Sequence, residues 1–537
     1  MRILTTFLFL FLFLGGMLIA QEQLPSGQIE VIKDFEVRLT EAKKIRIVPQ
    51  PTPLDSATRK YAYNLVALSP RIEYLIPEIK PLAINPETKP AYYPLMAKAG
   101  YGSPNSMLGA FSYDHVQNDA LSWGIDVGYL SGNNKKIPLQ KFSDARGRLN
   151  GSYLLSEKAK IDGYLDGHFE KIYFYGAEEI PTNEESLKRS FKRYDGQIRI
   201  SSLYSKGSNF RYSALLNILA DKDDLGSHET GMRVGGEIGS SIGKKEFPVG
   251  IGVMADVSSL KHTDEYPLNN VLVTPFFEYY LGDIKLHLGG LALLKPDENE
   301  FLPDIEASYG LFRDMMRIKA GWKGAVLKNN FHYLSSVNPY INTRLDSINN
   351  MISRRIYAGL TGSSGSLTYE VTGGYTKFER MAFFLQDEDD NEQFNPIYDN
   401  GHYISIEGSV QLELLKHLTV RTQVSNRIFS LDHEAKPWHV PSFDMDGMIT
   451  YTGGSDEYHV SLIFHGENGL PYRTVGGTEL RLDPLIDINL HGDYFFTDQF
   501  GVFTEINNIA GNNRERWVNY PSFGFNAKGG VIFRLSE

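Results

Sequence analysis

The chain has 537 residues, 50 of them Gly, 31 Tyr and 31 Phe, with no Cys and a formal charge of −11. The missing cysteine excludes disulfides, thiolate metal sites, cysteine catalysis and a lipidated N-terminal Cys, and the acidic balance argues against nucleic-acid binding. Glycine and aromatic enrichment without an apolar 20-mer beyond the leader points to extensive β-structure rather than helical membrane spans.

Residues 1–20 read as a secretory signal peptide. Arg2 is followed by an apolar run through Ile19, and Ala20 precedes the polar Gln21. These are the charged, apolar and small-residue regions of an export leader, with cleavage expected after Ala20.

Residues 21–93 form a second region, set apart by proline. Pro49, Pro51, Pro53, Pro70, Pro77, Pro81, Pro86 and Pro90 crowd this interval, and Pro94 closes it. Proline removes donors and restricts its neighbours, so an extended periplasmic arm is expected rather than a packed domain. Near its start, Ile29, Val31, Phe35, Val37 and Leu39 alternate as in a strand able to pair with a partner's edge. Phe35, Leu39 and Ala42 equally fit one face of a helix.

From residue 94 to 537 a period of two takes over. In "KIDGYLDGHFE", Ile161, Gly163, Leu165, Gly167 and Phe169 oppose Asp162, Tyr164, Asp166, His168 and Glu170. "ISIEGSVQLEL" and "PLIDINLHGDYFF" repeat the pattern, with Ile404, Ile406, Ile486 and Ile488 on the apolar side. Alternation held for about ten residues is the mark of a membrane β-strand, apolar to lipid and polar to the lumen. About 22 such segments are expected, joined alternately by tight turns (117–119, 156–158, 281–283, 415–417, 496–499) and long loops (176–188, 338–350, 387–400, 431–442). The fold class is therefore all-β, a transmembrane antiparallel β-barrel with both termini on the periplasmic side.

Chemistry-bearing residues read mostly as lumen lining. Asp162 and Glu170 share a face with Asp166 and His168, but eight residues of strand put the first two about 26 Å apart. One ion cannot join them. His459, Ser461 and His465 also point inward, and about 13 Å of strand between Ser461 and His465 precludes a triad. The acidic loop holding Asp387, Glu388, Asp389, Asp390, Glu392 and Asp399 lacks the spacing of an EF-hand and reads as a solvated charge run. Arg514, Arg516, Trp517 and Tyr520 fall in the last outer loop, where they suit either contact with a ligand or partner or anchoring at the rim. No nucleotide, zinc-protease or nucleophile-elbow motif is present, and no catalytic, metal or cofactor site is assigned.

The chain's end, "FTEINNIAGNNRERWVNYPSFGFNAKGGVIFRL", alternates from Phe523 to Leu535 and is expected to close the barrel, with Phe523, Phe525, Val531 and Phe533 toward lipid. Asn507-Asn508-Ile509, Tyr520-Pro521 and Gly524 through Gly530 resemble the C-terminal end of TonB-dependent receptors, whose barrels share the 22-strand count. The resemblance implies an outer-membrane receptor or transporter of the Gram-negative envelope, embedded in outer-membrane lipid. It also implies a periplasmic energising protein or an outer-membrane lipoprotein as partner; "IEVIKDF", with Ile29, Val31 and Phe35, resembles the hydrophobic box such motors grip. One departure stands out. The family's plug exceeds a hundred residues, and 21–93 is too short and proline-rich to supply it. Closure by the arm, by loops or by a partner is then required, and a transport-inactive scaffold in an outer-membrane assembly is the alternative.

Overall fold

Twenty-two antiparallel strands each pair with their neighbours in sequence, and the first, Leu95–Ser103, pairs with the last, Asn526–Leu535. The computed structural model describes residues 93–535 apart from 118–119, 177–182, 204–208, 244–245, 297, 313–314, 346, 416, 455 and 513. The leader, the arm and the trio Ile29, Val31 and Phe35 therefore lie outside the described residues, as does the question of a plug.

Closure follows from the solvent. Hydrocarbon offers backbone groups no partners, so a spanning sheet has to satisfy every edge within itself. Leu95↔Leu535 through Ser103↔Ala527 form that seam. Gly530 makes it possible: a Cβ there would come within 2.0 Å of the Ala99 carbonyl oxygen, and the Phe503 ring covers the same spot from the lumen side.

The faces are inverted relative to a soluble protein. Leu165, Ile198, Ile218, Ile406 and Ile428 are 64, 56, 54, 65 and 68 % exposed, whereas their polar neighbours turn inward. This is the expected lipid and lumen division. The tight turns at 156–158, 281–283 and 496–499, and the one joining Leu415 to Leu418, gather at the rim that holds Leu95 and Leu535, and the long connections gather at the other. Wall height is uneven. The fifteenth and sixteenth strands, Leu367–Gln386 and Phe394–Leu415, run 20 and 22 residues, against 8 to 10 for Phe500–Asn507, Asn526–Leu535 and Leu95–Ser103.

Two expectations need correction. The closing strand begins at Asn526, because Phe523 packs edge-on against Phe142 at 5.5 Å and its carbonyl accepts from Asn508 Nδ2. Only Phe525, at 58 % exposure, keeps an open position ahead of the strand. The acidic loop shrinks to 387–393, since Phe394 already belongs to a strand. Among the described residues Phe331–Val337 forms a short helix, capped by Asn330 Oδ1 accepting from Tyr333 N at 3.2 Å. Seven residues are too few to display a 3.6 period.

Candidate functional site

The long connections do not extend into solvent; they fold together over the mouth. Three of them, 174–187, 330–348 and 508–525, follow the fifth, thirteenth and twenty-first strands, about a third of the circumference apart. Each contributes one tyrosine to a common point. Tyr175 lies 5.1 Å from Tyr520 and 6.1 Å from Tyr340 between ring centroids, and Tyr340 stacks on Tyr520 at 3.6 Å. Loops rooted so far apart can meet only across the lumen.

Hydrogen bonds fix the meeting. Tyr175 donates to the Pro521 carbonyl at 2.9 Å and Tyr520 donates to the Glu392 carbonyl at 2.5 Å. Burial pushes the Tyr340 and Tyr520 hydroxyls well above the usual phenol range, so both remain neutral donors. Around them Phe331, Leu334, Ile341, Phe394 and Leu470 are at most 1 % exposed and form one apolar cluster with Trp517 and Val518. This roof has a protein-like core of its own.

His439 is its junction. Its Nδ1 donates to the Phe384 carbonyl at 2.8 Å, its backbone N–H to Pro471, and its carbonyl accepts from Arg516 at 2.7 Å. The ring packs against Phe394 and Trp517, both at 5.2 Å. Burial holds the imidazole down at about 4, and nearby Arg516 adds to the effect.

Charged groups of the wall hold the roof from one side. Arg189 on the sixth strand, Lys188–Ser202, is wholly buried beside Asp223 at 3.7 Å and donates to the Ile341 carbonyl at 3.3 Å. Glu229 accepts from Asn330 Nδ2 at 2.7 Å and from the His332 backbone at 2.9 Å. His332 meets Asp221 at 2.5 Å, and that hydrogen bond raises the imidazole above its ordinary range against the opposing effect of burial. The short helix is thus pinned to strands six to eight.

Elsewhere the lumen is laced with ion pairs between strands, among them Lys98–Asp493 at 3.2 Å, Arg355–Glu407 at 3.0 Å and Lys528–Glu505 at 2.9 Å. The sequence-marked carboxylates join this pattern separately. Asp162 pairs with Lys160 at 3.0 Å and Glu170 with Arg193 at 3.0 Å, while His168 meets Asp144 at 2.7 Å. Asp166 has no such partner among the described residues. Ser461 meets Thr450 at 3.2 Å while His465 meets Asp446 at 2.7 Å, so the two do not converge. His459 lies near Asp456 at 3.8 Å. Asp387 takes backbone N–H groups from Asp389 and Asp390 and side-chain donors from Asn342 and Asn395. Burial opposes its charge, but these donors hold the carboxyl below the usual range. Among the described residues no group of three or more metal-ligating side chains converges.

Arg514, Trp517 and Tyr520 sit inside the roof, 5, 5 and 3 % exposed. Arg516 bridges His439 and Glu467, the latter at 2.8 Å, and Arg514 is held by Asp487 at 2.8 Å and the Ile486 carbonyl. Tyr175, Tyr340, Phe394 and His439 escaped the sequence reading. The available signal was apolar content: Ile341, Leu345, Ile348, Trp438 and Val440 are unusual in loops meant for water.

No protein-family model matches the chain, and no curated protein matches it in sequence. Solved structures do match in fold. The siderophore receptor PirA from Acinetobacter baumannii aligns with a TM-score of 0.62 at 10 % identity, covering 82 % of this chain and 80 % of that one. The ferripyoverdine receptor of the outer membrane of Pseudomonas aeruginosa aligns at 0.63 and 10 % identity, over 83 % of this chain and 72 % of that one. The FrpB iron transporter from Neisseria meningitidis aligns at 0.63 and 9 % identity, over 82 and 81 %. At such identity the likeness is one of architecture: the chain has the fold of an outer-membrane receptor barrel.

Proposed function

We propose that this protein is an outer-membrane receptor of the transport class whose outer mouth is shut by its own loops and opens when an external ligand rearranges them. The observation that carries this reading is the meeting of Tyr175, Tyr340 and Tyr520 across the lumen. A wide barrel unblocked at its mouth would leak solutes, and a roof assembled from separate loops can part without breaking the wall. Arg516 and the rings of Trp517 and Tyr520 would then act on ligand through the roof, as the groups whose contacts change on opening. Ile29, Val31 and Phe35 are proposed as the contact for a periplasmic energising protein or an outer-membrane lipoprotein.

Planar-bilayer conductance tests the gate. The wild-type barrel is expected to stay closed, and Tyr340→Ala combined with Tyr520→Ala to give openings while the barrel remains folded. Openings of equal size and frequency in both would refute loop closure. A second reading, a transport-inactive scaffold, draws on the dryness of the roof, where Leu334 and Ile341 have no exposure at all. It predicts a closed lumen in both proteins and in one lacking residues 21–93, together with stably co-purifying envelope proteins.

A further inference from the structure

The outer wall carries a feature unrelated to the lumen. Lys192, Lys222, His228 and Lys261 are direct cross-strand partners on the sixth to ninth strands and form one row near the rim of the long loops. All four are exposed and point outward, since the residues beside them, Arg193, Asp221, Asp223, Glu229 and Leu260, are 7, 2, 2, 0 and 0 % exposed. At about 4.8 Å per strand the row is about 14 Å long. Lys171 stands one rung higher on the fifth strand, Ala159–Tyr173.

Among the described residues Lys192, Lys222 and Lys261 form no ion pair with a carboxylate, whereas Lys171 acts electrostatically on Glu185. Glu265, which continues the row beside Lys261, accepts from Ser259 Oγ at 2.7 Å. Like charges set directly opposite one another across strands are destabilising, so the facing pair Lys192 and Lys222 lowers the stability of the bare wall. An anion in front of it would reverse the sign.

Its height identifies that anion. One rung toward the opposite rim the outward face carries Tyr194, Ala220 and Thr230, and the next rung Gly196, Ile218 and Met232. Phe169 and Tyr194 pack edge-on there at 5.6 Å. Aromatic rings mark the edge of the hydrocarbon, so the cations lie just above it, at the level of lipid headgroups.

A second observation lies beneath the Lys192 and Lys222 end of the row and extends from there toward the third strand. A concavity of about 910 Å³ opens in the wall, bordered by Leu149, Leu165, Tyr194, Ile198, Leu216 and Ile218. It exists because Gly151, Gly163 and Gly196 place no side chain among these outward-facing residues. Cations above an apolar trough match a molecule with a phosphate head and an acyl chain. A free phosphate would use the row and leave the trough unexplained.

We propose that the outer wall over strands four to nine is a binding site for a phosphorylated glycolipid of the outer leaflet, with its phosphate on Lys192, Lys222, His228 and Lys261 and an acyl chain in the trough. Native mass spectrometry of the purified full-length protein in detergent, titrated with lipid A, tests this. Replacing Lys192, Lys222 and Lys261 together by Gln is expected to weaken lipid A binding about 100-fold, roughly five-fold per cation near the headgroup plane. Without lipid that variant should unfold at the same temperature as wild type or higher, because repulsion has been removed. Gly151→Leu, whose Cβ meets nothing nearer than 3.6 Å, should fill the trough and weaken lipid A while the barrel still folds. Equal binding of lipid A stripped of both phosphates, displacement of lipid A by millimolar inorganic phosphate, or unchanged affinity in the triple variant would each overturn the proposal.

Discussion

The rings of Tyr340 and Tyr520 stack at 3.6 Å although their loops leave the wall eight strands apart. Eight strands correspond to about 38 Å of sheet, so this contact reports the state of the mouth. Aromatic pairs couple by about 1 kcal/mol beyond their buried area. A double-mutant cycle with Tyr340→Leu and Tyr520→Leu, read by amide exchange in 330–348, is expected to return a coupling of that size. A coupling near zero would mean that the loops hold without the stack.

The roof should loosen in acid. The His439 imidazole is held near 4 when buried and returns to about 6.5 when the loops part. A depressed histidine favours the closed state fully above the higher value; that advantage fades as pH falls to the lower one and is then constant. The difference is about 3–4 kcal/mol, or roughly 300-fold in the opening equilibrium. Glu392 and Glu515, both raised by burial, act with the opposite sign, so the comparison has to be with a histidine-free protein. His439→Asn is the apt one: the backbone there has φ of +56°, which Asn tolerates, and its amide can replace the Nδ1 donor. Protease cleavage of the loops should accelerate between pH 6.5 and 4 in wild type and distinctly less in the variant.

Gly530→Val should prevent closure of the sheet, because the added carbon falls 2.0 Å from the Ala99 oxygen and 2.5 Å from Gly100 Cα, both backbone. Gly524→Val, where nothing lies within 4 Å, is the control. The first should fail to give the compact, heat-modifiable band of a folded barrel on electrophoresis; the second should give it normally. A normal band for Gly530→Val would show that the seam can shift register.

Arg189→Met keeps the side chain's bulk and leaves Asp223 buried without its cation. Breaking a buried pair from one side costs about 3–5 kcal/mol. The loss should appear as faster exchange around Ile341 and Thr343, which the guanidinium contacts at 3.3 and 3.4 Å. Adding Asp223→Asn should recover much of it.

The wall was readable from the chain because a period of two is a local signal: Leu165 and Ile406 announce their face through their immediate neighbours. The roof has no such signal. Tyr175, Tyr340 and Tyr520 meet across intervals of 165 and 180 residues, with no repeat in the loops to pair them. The tail mixed both cases. Residues 526 to 535 were legible, whereas Phe523 alternates equally well yet turns inward to Phe142, a contact set by a strand nearly four hundred residues earlier. The lysine row demanded both parity and register. Parity alone scatters Lys192, Lys222 and Lys261 among ordinary surface charges.

The unequal height of the wall has a mechanical meaning. Between Leu485–Phe495 and Phe500–Asn507 six residue pairs are in register, and nine join the first strand to the last, against eighteen between Leu367–Gln386 and Phe394–Leu415. Stiffness therefore varies around the cylinder. When the surrounding bilayer thins or stretches, strain collects in the low sector around the seam, and the tall hairpin about a quarter of the circumference away behaves as a rigid post.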